Sequence, residues 1–263
     1  MAGAHRSRPH HGRGRVDRLG VGDSEGVDVQ ATSVTDDVAS FRSALSKLRT
    51  YDFVDPDRVF IFGHSLGTTI VPVVAKDQKL AGVISFASVY RPWPETILES
   101  MQQRWKLELL PEDQIKKRTD SVKAFLDQFV TKKQPLDSVL EGNAEYREIF
   151  GEGALDRGFI GMPAKYAQDL ATLPSASAWG AVNAPVLAIW GEADYIAARG
   201  DGEKLAETVN KAHAGKGCFL KLPEVDHMMS KAADQEESFL AGQGTFNPKF
   251  IEAVLKWMTD KGC

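Results

Sequence analysis

Cysteine is nearly missing: the chain has two, Cys218 and Cys263, and the second is its last residue. Two thiols so placed argue for neither a disulfide framework nor a C-x-x-C metal site, and the terminal Cys263 is expected to be mobile. Long apolar runs are missing too. None approaches the ~18 residues that a membrane span needs, so no span is expected. The N-terminus has no apolar core of a secretory signal. The chain as given therefore reads as cytoplasmic, with export of a longer form left open. An excess of either charge is absent: 32 Lys and Arg stand against 36 Asp and Glu, a net −4 with pI ≈ 5.9. No nucleic-acid partner follows from that balance. What asymmetry exists is local, because residues 1–20 hold five arginines and one aspartate. The stretch MAGAHRSRPHHGRGR (1–15) has no hydrophobic period and predicts a disordered basic leader rather than a nucleic-acid or membrane tail. His5, His10 and His11 fall inside it and read as tail residues rather than a metal cluster.

Beyond the leader, periodic segments alternate. VDRLGVGDSEG (16–26) is a loop punctuated by glycine. Residues 33–50 predict a helix: Ser33 and Asp36 have capping-box spacing, and Val38, Phe41, Leu45 and Leu48 recur at three and four. Asp55-Pro56 marks a turn, and Val59 to Phe62 is a continuous apolar run. A run without alternation suits a strand buried on both faces of a parallel sheet. TTIVPVVAK should be helical, with Pro72 near enough to the start to be tolerated or to kink it. LAGVISFASV (80–89) is the next buried strand. Residues 91–180 then change character, becoming rich in charge and helical period without a strong strand. APVLAIWGEAD (184–194) restores the strand signal. GEKLAETVNKA (202–212) is helical, CFLKLPEVDH (218–227) is a last strand with its exit loop, and NPKFIEAVLKWMTDK (247–261) is a closing helix. Asn247 caps that helix, Pro248 opens it, and Phe250, Ile251, Val254, Leu255 and Met258 line one face. This alternation predicts an α/β fold with a mostly parallel sheet flanked by helices. The core is 16–90 and 181–263, and 91–180 is a helical cap inserted between two strands.

Ligands of such sheets bind outside the carboxyl ends of the strands. Three polar residues sit at three such ends: Ser65, Asp194 and His227. Ser65 lies in GHSLG (63–67). With this glycine and serine content the pattern arises by chance in about one such chain in ten, so its flanks decide. Here a strand precedes it and a helix follows. Glycines two before and two after, Gly63 and Gly67, permit a tight strand-to-helix turn that lifts the hydroxyl out of the sheet. A serine hydroxyl needs a base, and the base needs an orienting carboxylate. His227 is the candidate base, since the other late histidine, His213, lies in a helix tail. Asp194 is the candidate acid, with Glu192 and Asp226 as rivals; Asp226 would have to fold back to reach the neighbouring ring. The N–H of Leu66, at the start of the following helix, faces any anion formed near Ser65. His64 reads as a packing or supporting residue. Asp17, Asp23 and Glu25 read as structural parts of the glycine loop. Trp93, Trp105 and Trp179 read as packing of the cap rather than an acyl pocket.

DRLGVGDSEG, GHSLG, PVLAIWGEADYI and LPEVDH, with Ser65, Asp194 and His227 in that order and 129 and 33 positions apart, resemble the α/β-hydrolase superfamily, its carboxylesterase and prolyl-oligopeptidase-like branch. The resemblance covers about 16–90 and 181–261. It implies two-step acyl transfer on a small carboxylic ester, with Ser65 as nucleophile, His227 as proton shuttle, Asp194 orienting it and Leu66 N–H in the oxyanion hole. It implies no metal and no organic cofactor. A peptidase or amidase of the same superfamily is one alternative, and a shortened, catalytically impaired hydrolase is another. The family has several strands before the stretch matching RVDRLG, and this chain has about fifteen featureless residues there. The fold is thus expected to be N-terminally shortened. The loop giving the second oxyanion donor lacks its usual place, and HHGRG (10–14) resembles it only superficially. In the family one of the strands missing here lies between the one ending near Asp17 and the one ending at Gly63, so the shortened sheet must leave a gap, slide a strand into it or complete it with a second chain. An open edge favours self-association, so a homo-oligomer is expected, along with weak esterase turnover.

Overall fold

Four apolar runs become four parallel strands: β1 (Phe60–His64), β2 (Gly82–Phe86), β3 (Val186–Gly191) and β4 (Gly217–Leu222). They lie side by side in chain order. The computed structural model describes residues 14, 16–24, 27–151, 153–156, 158–242, 244–260 and 262–263. In register, Phe62 stands beside Ile84 and Ile84 beside Leu187, while Leu187 stands beside Cys218. Every residue of β2 is buried, and β3 is buried but for Trp190, as continuous rather than alternating apolar runs require.

The helices follow in chain order. α1 (Val34–Leu48) opens on the expected capping box, with Ser33 and Asp36 bonded reciprocally. α2 (Gly67–Ala75) leaves β1 through the GHSLG turn. Between β2 and β3 lie α3 (Trp93–Leu107), α4 (Glu112–Leu126) continued by a π turn at Asp127–Thr131, α5 (Leu136–Leu140), α6 (Glu145–Phe150), α7 (Ala164–Leu170) and α8 (Ser175–Gly180). Prolines 92, 111, 135, 163 and 174 stand at the N-caps of α3, α4, α5, α7 and α8. A proline there has its φ preset and gives up no helical bond. α9 (Arg199–Ala212) joins β3 to β4, and α10 (Gln235–Ala241) and α11 (Pro248–Asp260) follow β4.

The sheet is the middle of three layers. On one face Val83, Val186 and Ala188 pack against Ala75 of α2, Trp179 of α8 and Leu205 and Val209 of α9. On the other, Ile84, Phe86, Leu187 and Ile189 pack against Phe250, Val254 and Trp257 of α11. A third cluster joins α1 and α2 to the helices after β2, with Trp93, Trp105, Phe125, Phe129 and Phe159 in its centre. Alternate side chains of each strand thus feed opposite faces.

Several expectations need correction. α11 buries Phe250, Val254 and Trp257, while Ile251 and Leu255 point out, 42% and 39% exposed. The apolar face is therefore turned from the one read off the sequence, because Trp257 rather than Leu255 meets the sheet at Phe60 and Gly82. Cys218 and Cys263 are bonded to each other, so the last residue is tied to β4 rather than free. Trp179 packs under the sheet rather than with the other two tryptophans. α10 and the short helices α5, α6 and α8 carry too few turns to show a period. The leader and HHGRG fall on residues 1–13 and 15, outside the described residues apart from Gly14.

Among the described residues, β1 lies at an edge of the sheet. Among the described residues, 14 to 24 form no strand, and nothing pairs with the side of β1 away from β2. Val59 O accepts from Ala81 N, and Ser65 N donates to Phe86 O. Alternate residues of a parallel strand bond to opposite sides, so Phe60, Phe62 and His64 turn their backbone groups to the open side. Phe62 is 46% exposed.

Candidate active site

The C-terminal ends of β1, β3 and β4 bring three side chains together. Ser65 follows β1 directly, in a left-handed backbone with φ of 51°. That conformation is unusual for a residue with a Cβ and costs on the order of 1–3 kcal/mol. Close packing holds it in place. A Cβ on Gly63 would lie 2.6 Å from Val71 Cγ2 and 3.1 Å from Gly67 O, so strand and helix meet too tightly there for any side chain. Gly67 differs from the expectation: a Cβ there meets nothing within 4 Å. The turn needs Gly63 on steric grounds and does not need Gly67. Leu66 is the N-cap of α2, and the helix cannot use its N–H.

Asp194 lies three residues beyond β3 and is fully buried. Its Oδ1 accepts the amides of Ile196 and Ala197 at 2.8 and 2.9 Å, which fixes the carboxylate plane. His227 follows β4 through a loop whose Val225 carbonyl would be 2.2 Å from a Cβ on Gly191 and accepts from Ala193 N. The close approach at Gly191 seats the loop after β4 against the loop after β3. His227 Nδ1 lies 3.1 and 3.0 Å from the two oxygens of Asp194, and its Nε2 lies 3.1 Å from Ser65 Oγ. A proton on Nδ1 leaves Nε2 free to accept from the serine.

The rivals are placed elsewhere. Asp226 is buried, and its Oδ1 accepts the amides of Met228 and Ser230 at 2.9 and 2.6 Å; it shapes the loop that carries His227. Glu192 pairs with Lys221 at 3.1 Å. His213 Nε2 contacts Gly180 O. Asp23 N donates to Asp17 and Ser24 Oγ to Asp17 O, so the glycine loop is held by its own acid. Trp93 is buried and donates to Ala167 O.

Two supports were not legible in the sequence. Gln235 of α10 donates to the backbone oxygen of Asp194 at 2.8 Å, and Gln103 of α3 donates to Gln235 at 2.9 Å. Asp37 of α1, fully buried, accepts from Arg18 at 2.6 Å and from the Tyr166 hydroxyl at 2.8 Å. Burial and that acid push the Tyr166 hydroxyl well above its ordinary pKa, so it stays a donor. It fastens the glycine loop and α1 to α7. Spacing gave no sign of either, since the partners are 19 to 132 positions apart.

Among the described residues, no group of three His, Cys, Asp or Glu side chains is placed to hold a metal ion. No helix there is long and apolar enough to cross a membrane. An open groove of about 810 Å³ runs along α1, lined by Leu19, Val27, Ala39, Ser40 and Ser43 among others, and it is apart from Ser65, Asp194 and His227.

A family model described as "Serine aminopeptidase, S33" matches residues 14–221, more than half of the chain. Esterase EstD of Thermotoga maritima is 23% identical over 205 residues, which are 78% of this chain and 43% of that protein. The quorum-quenching protein AidA of Acinetobacter baumannii is 37% identical over 65 residues, 24% of this chain and 21% of that protein. The chain thus spans less than half the length of the curated relatives it matches. Among solved structures, BpoC of Mycobacterium tuberculosis, named as a non-heme bromoperoxidase, superposes with a TM-score of 0.50 at 17% identity, over 94% of this chain and 81% of that one. At that identity the likeness is one of fold.

Proposed function

Since the chain belongs to the α/β-hydrolase family described as serine aminopeptidase, S33, we propose that it is a serine hydrolase that cleaves small carboxylic esters through an acyl-enzyme. One observation carries this reading: an unbroken line from the Asp194 carboxylate through His227 to Ser65 Oγ, at 3.0 and 3.1 Å. Ser65 Oγ attacks the acyl carbon as His227 Nε2 takes its proton, and Asp194 holds the imidazolium. The oxyanion is met by Leu66 N–H at the positive end of α2. His227 then returns the proton to the departing alkoxide. Water repeats the sequence, with His227 as base, and frees the acid.

The test is a fluorophosphonate probe followed by substrate comparison. Labelling that disappears in Ser65→Ala, with turnover of p-nitrophenyl esters, is the expected result. A wild-type chain that takes no label at all favours the impaired-hydrolase reading instead. The name of the matching family favours a second substrate class, peptides with a free amino end. Aminoacyl anilides hydrolysed faster than esters would establish it. Two structural parts belong to the same proposal. Residues 91–180 act as the cap over the strand ends, tied to the acid loop through Gln103 and Gln235. The open side of β1, with Phe62 exposed, pairs with a second copy to give a homo-oligomer.

A further inference from the structure

His64 is the last residue of β1, directly before the nucleophile, and its ring is half-buried. On one side it stacks on Phe86, centroids 5.5 Å apart and planes 26° apart. On the other it lies against the His227 ring, centroids 4.9 Å apart. Its Nε2 is 2.8 Å from the backbone oxygen of His227. A carbonyl oxygen only accepts, so that nitrogen carries a proton and donates. The two residues at the end of β1 thus grip both ends of His227. His64 holds its backbone, and Ser65 meets its ring at 3.1 Å.

We propose that His64 is a positioning residue for the base: its Nε2–H fixes the His227 backbone so that the imidazole stays within hydrogen-bond reach of Ser65 Oγ. This rests on the serine-hydrolase reading. Asp226 closes the turn at 226–230 on itself through the amides of Met228 and Ser230, and the His64 bond ties that turn to the end of β1 on the serine side. Burial, with His227 beside it, holds the His64 pKa below that of an ordinary histidine. The ring is therefore neutral near pH 7, with a single donor already committed. A positive charge there would oppose the imidazolium that forms on His227 during the reaction.

The test compares His64→Leu, which removes the donor at similar volume, with His64→Gln, whose amide nitrogen can reach the same carbonyl. Leaving a buried carbonyl of the catalytic loop without its donor corresponds to about fivefold to a hundredfold in kcat. His64→Leu is expected to lose that much, with KM within about twofold. His64→Gln should recover to within about threefold of wild type. An unimpaired His64→Leu overturns the proposal. So does a His64→Gln as slow as His64→Leu at an unchanged melting temperature. Should His64→Leu fail to fold, the wild-type ring tautomer decides by long-range proton–nitrogen correlation at pH 7. Protonated Nε2 with bare Nδ1 supports the assignment, and the opposite tautomer overturns it. A wild-type chain inert to fluorophosphonate ends the active-hydrolase reading in favour of the impaired one, and the tautomer still decides the His64 bond.

Discussion

Replacing Asp194 by asparagine changes one oxygen to NH₂ and tests which acid orients the base. Oδ1 of Asp194 receives two backbone amides, from Ile196 and Ala197. The asparagine oxygen must stay at that position, because turning the NH₂ there would strand both donors at about 1–3 kcal/mol each. The NH₂ then occupies the place of Oδ2, 3.0 Å from His227 Nδ1, while the retained oxygen at 3.1 Å already accepts two amides. A donor facing Nδ1 favours the tautomer with hydrogen on Nε2, which cannot take the proton of Ser65. Turnover should fall by on the order of 10⁴, the scale known for an orienting acid made amide, or about 5.5 kcal/mol of barrier. Melting should barely move, since both loop amides keep their acceptor. The assay is kcat on p-nitrophenyl acetate with fluorophosphonate labelling in parallel. Asp226→Asn is the control: its retained oxygen can still accept from Met228 and Ser230, so kcat should stay within about threefold. A variant Asp194→Asn that keeps more than about a tenth of kcat, or an Asp226→Asn that loses it, would refute the assignment of the acid.

Four other outcomes are expected. Gly63→Ala should destabilise by about 1–3 kcal/mol because its Cβ enters Val71, whereas Gly67→Ala should stay within about 0.5 kcal/mol; paired thermal melts check both. Thiol titration of the unfolded, unreduced protein should find no free cysteine, and reduction should cost about 2–4 kcal/mol for the 45-residue separation closed by Cys218–Cys263, read by denaturant unfolding with and without reductant. Size-exclusion chromatography with light scattering at micromolar concentration should show a species larger than the monomer that Phe62→Lys, a charge on the half-exposed residue of β1, shifts to monomer; a wild-type monomer there removes the oligomer reading. The lowered pKa of His64 means the unfolded chain binds its proton more readily. That part of stability is full above about pH 6.5 and is lost as pH falls toward the folded value. The fall in wild-type stability below pH 6.5 should therefore be shallower in His64→Gln, as unfolding titrations at several pH values would show.

The strands and long helices were legible because each is carried by a local signal. Val83 to Phe86 reads as buried on both faces, and α9 and α1 show their period within fourteen or fifteen residues. The grouping of the three candidate side chains was legible for a related reason. Ser65, Asp194 and His227 each follow a strand, so placing the strands in one parallel sheet places the three side chains at one end of it. What stayed hidden depends on contacts between distant segments. The turn of α11 is set by Trp257 meeting Phe60 across the sheet, and apolar residues on both flanks of that helix leave the period ambiguous. The Cys218–Cys263 bond needs the chain end to return to β4, which two isolated cysteines cannot announce.

The choice between Asp194 and Asp226 shows where that boundary lies. By sequence Asp226 adjoins His227, whereas Asp194 stands 33 positions before it at the end of a strand. What separates them is the Gly191–Val225 approach, where a carbonyl fits only because Gly191 has no side chain. It brings the loop after β3 beneath the loop after β4, so the Asp194 carboxylate faces the ring. Asp226, adjacent to His227 in sequence, is turned back on its own loop by the amides of Met228 and Ser230. An alanine at position 191 would push Val225 away and draw His227 off Asp194 while leaving all three candidate residues intact. Gly191→Ala should therefore lose turnover by more than tenfold with Ser65, Asp194 and His227 untouched. Full activity in that variant would mean that the two loops are aligned by something other than their contact at Val225.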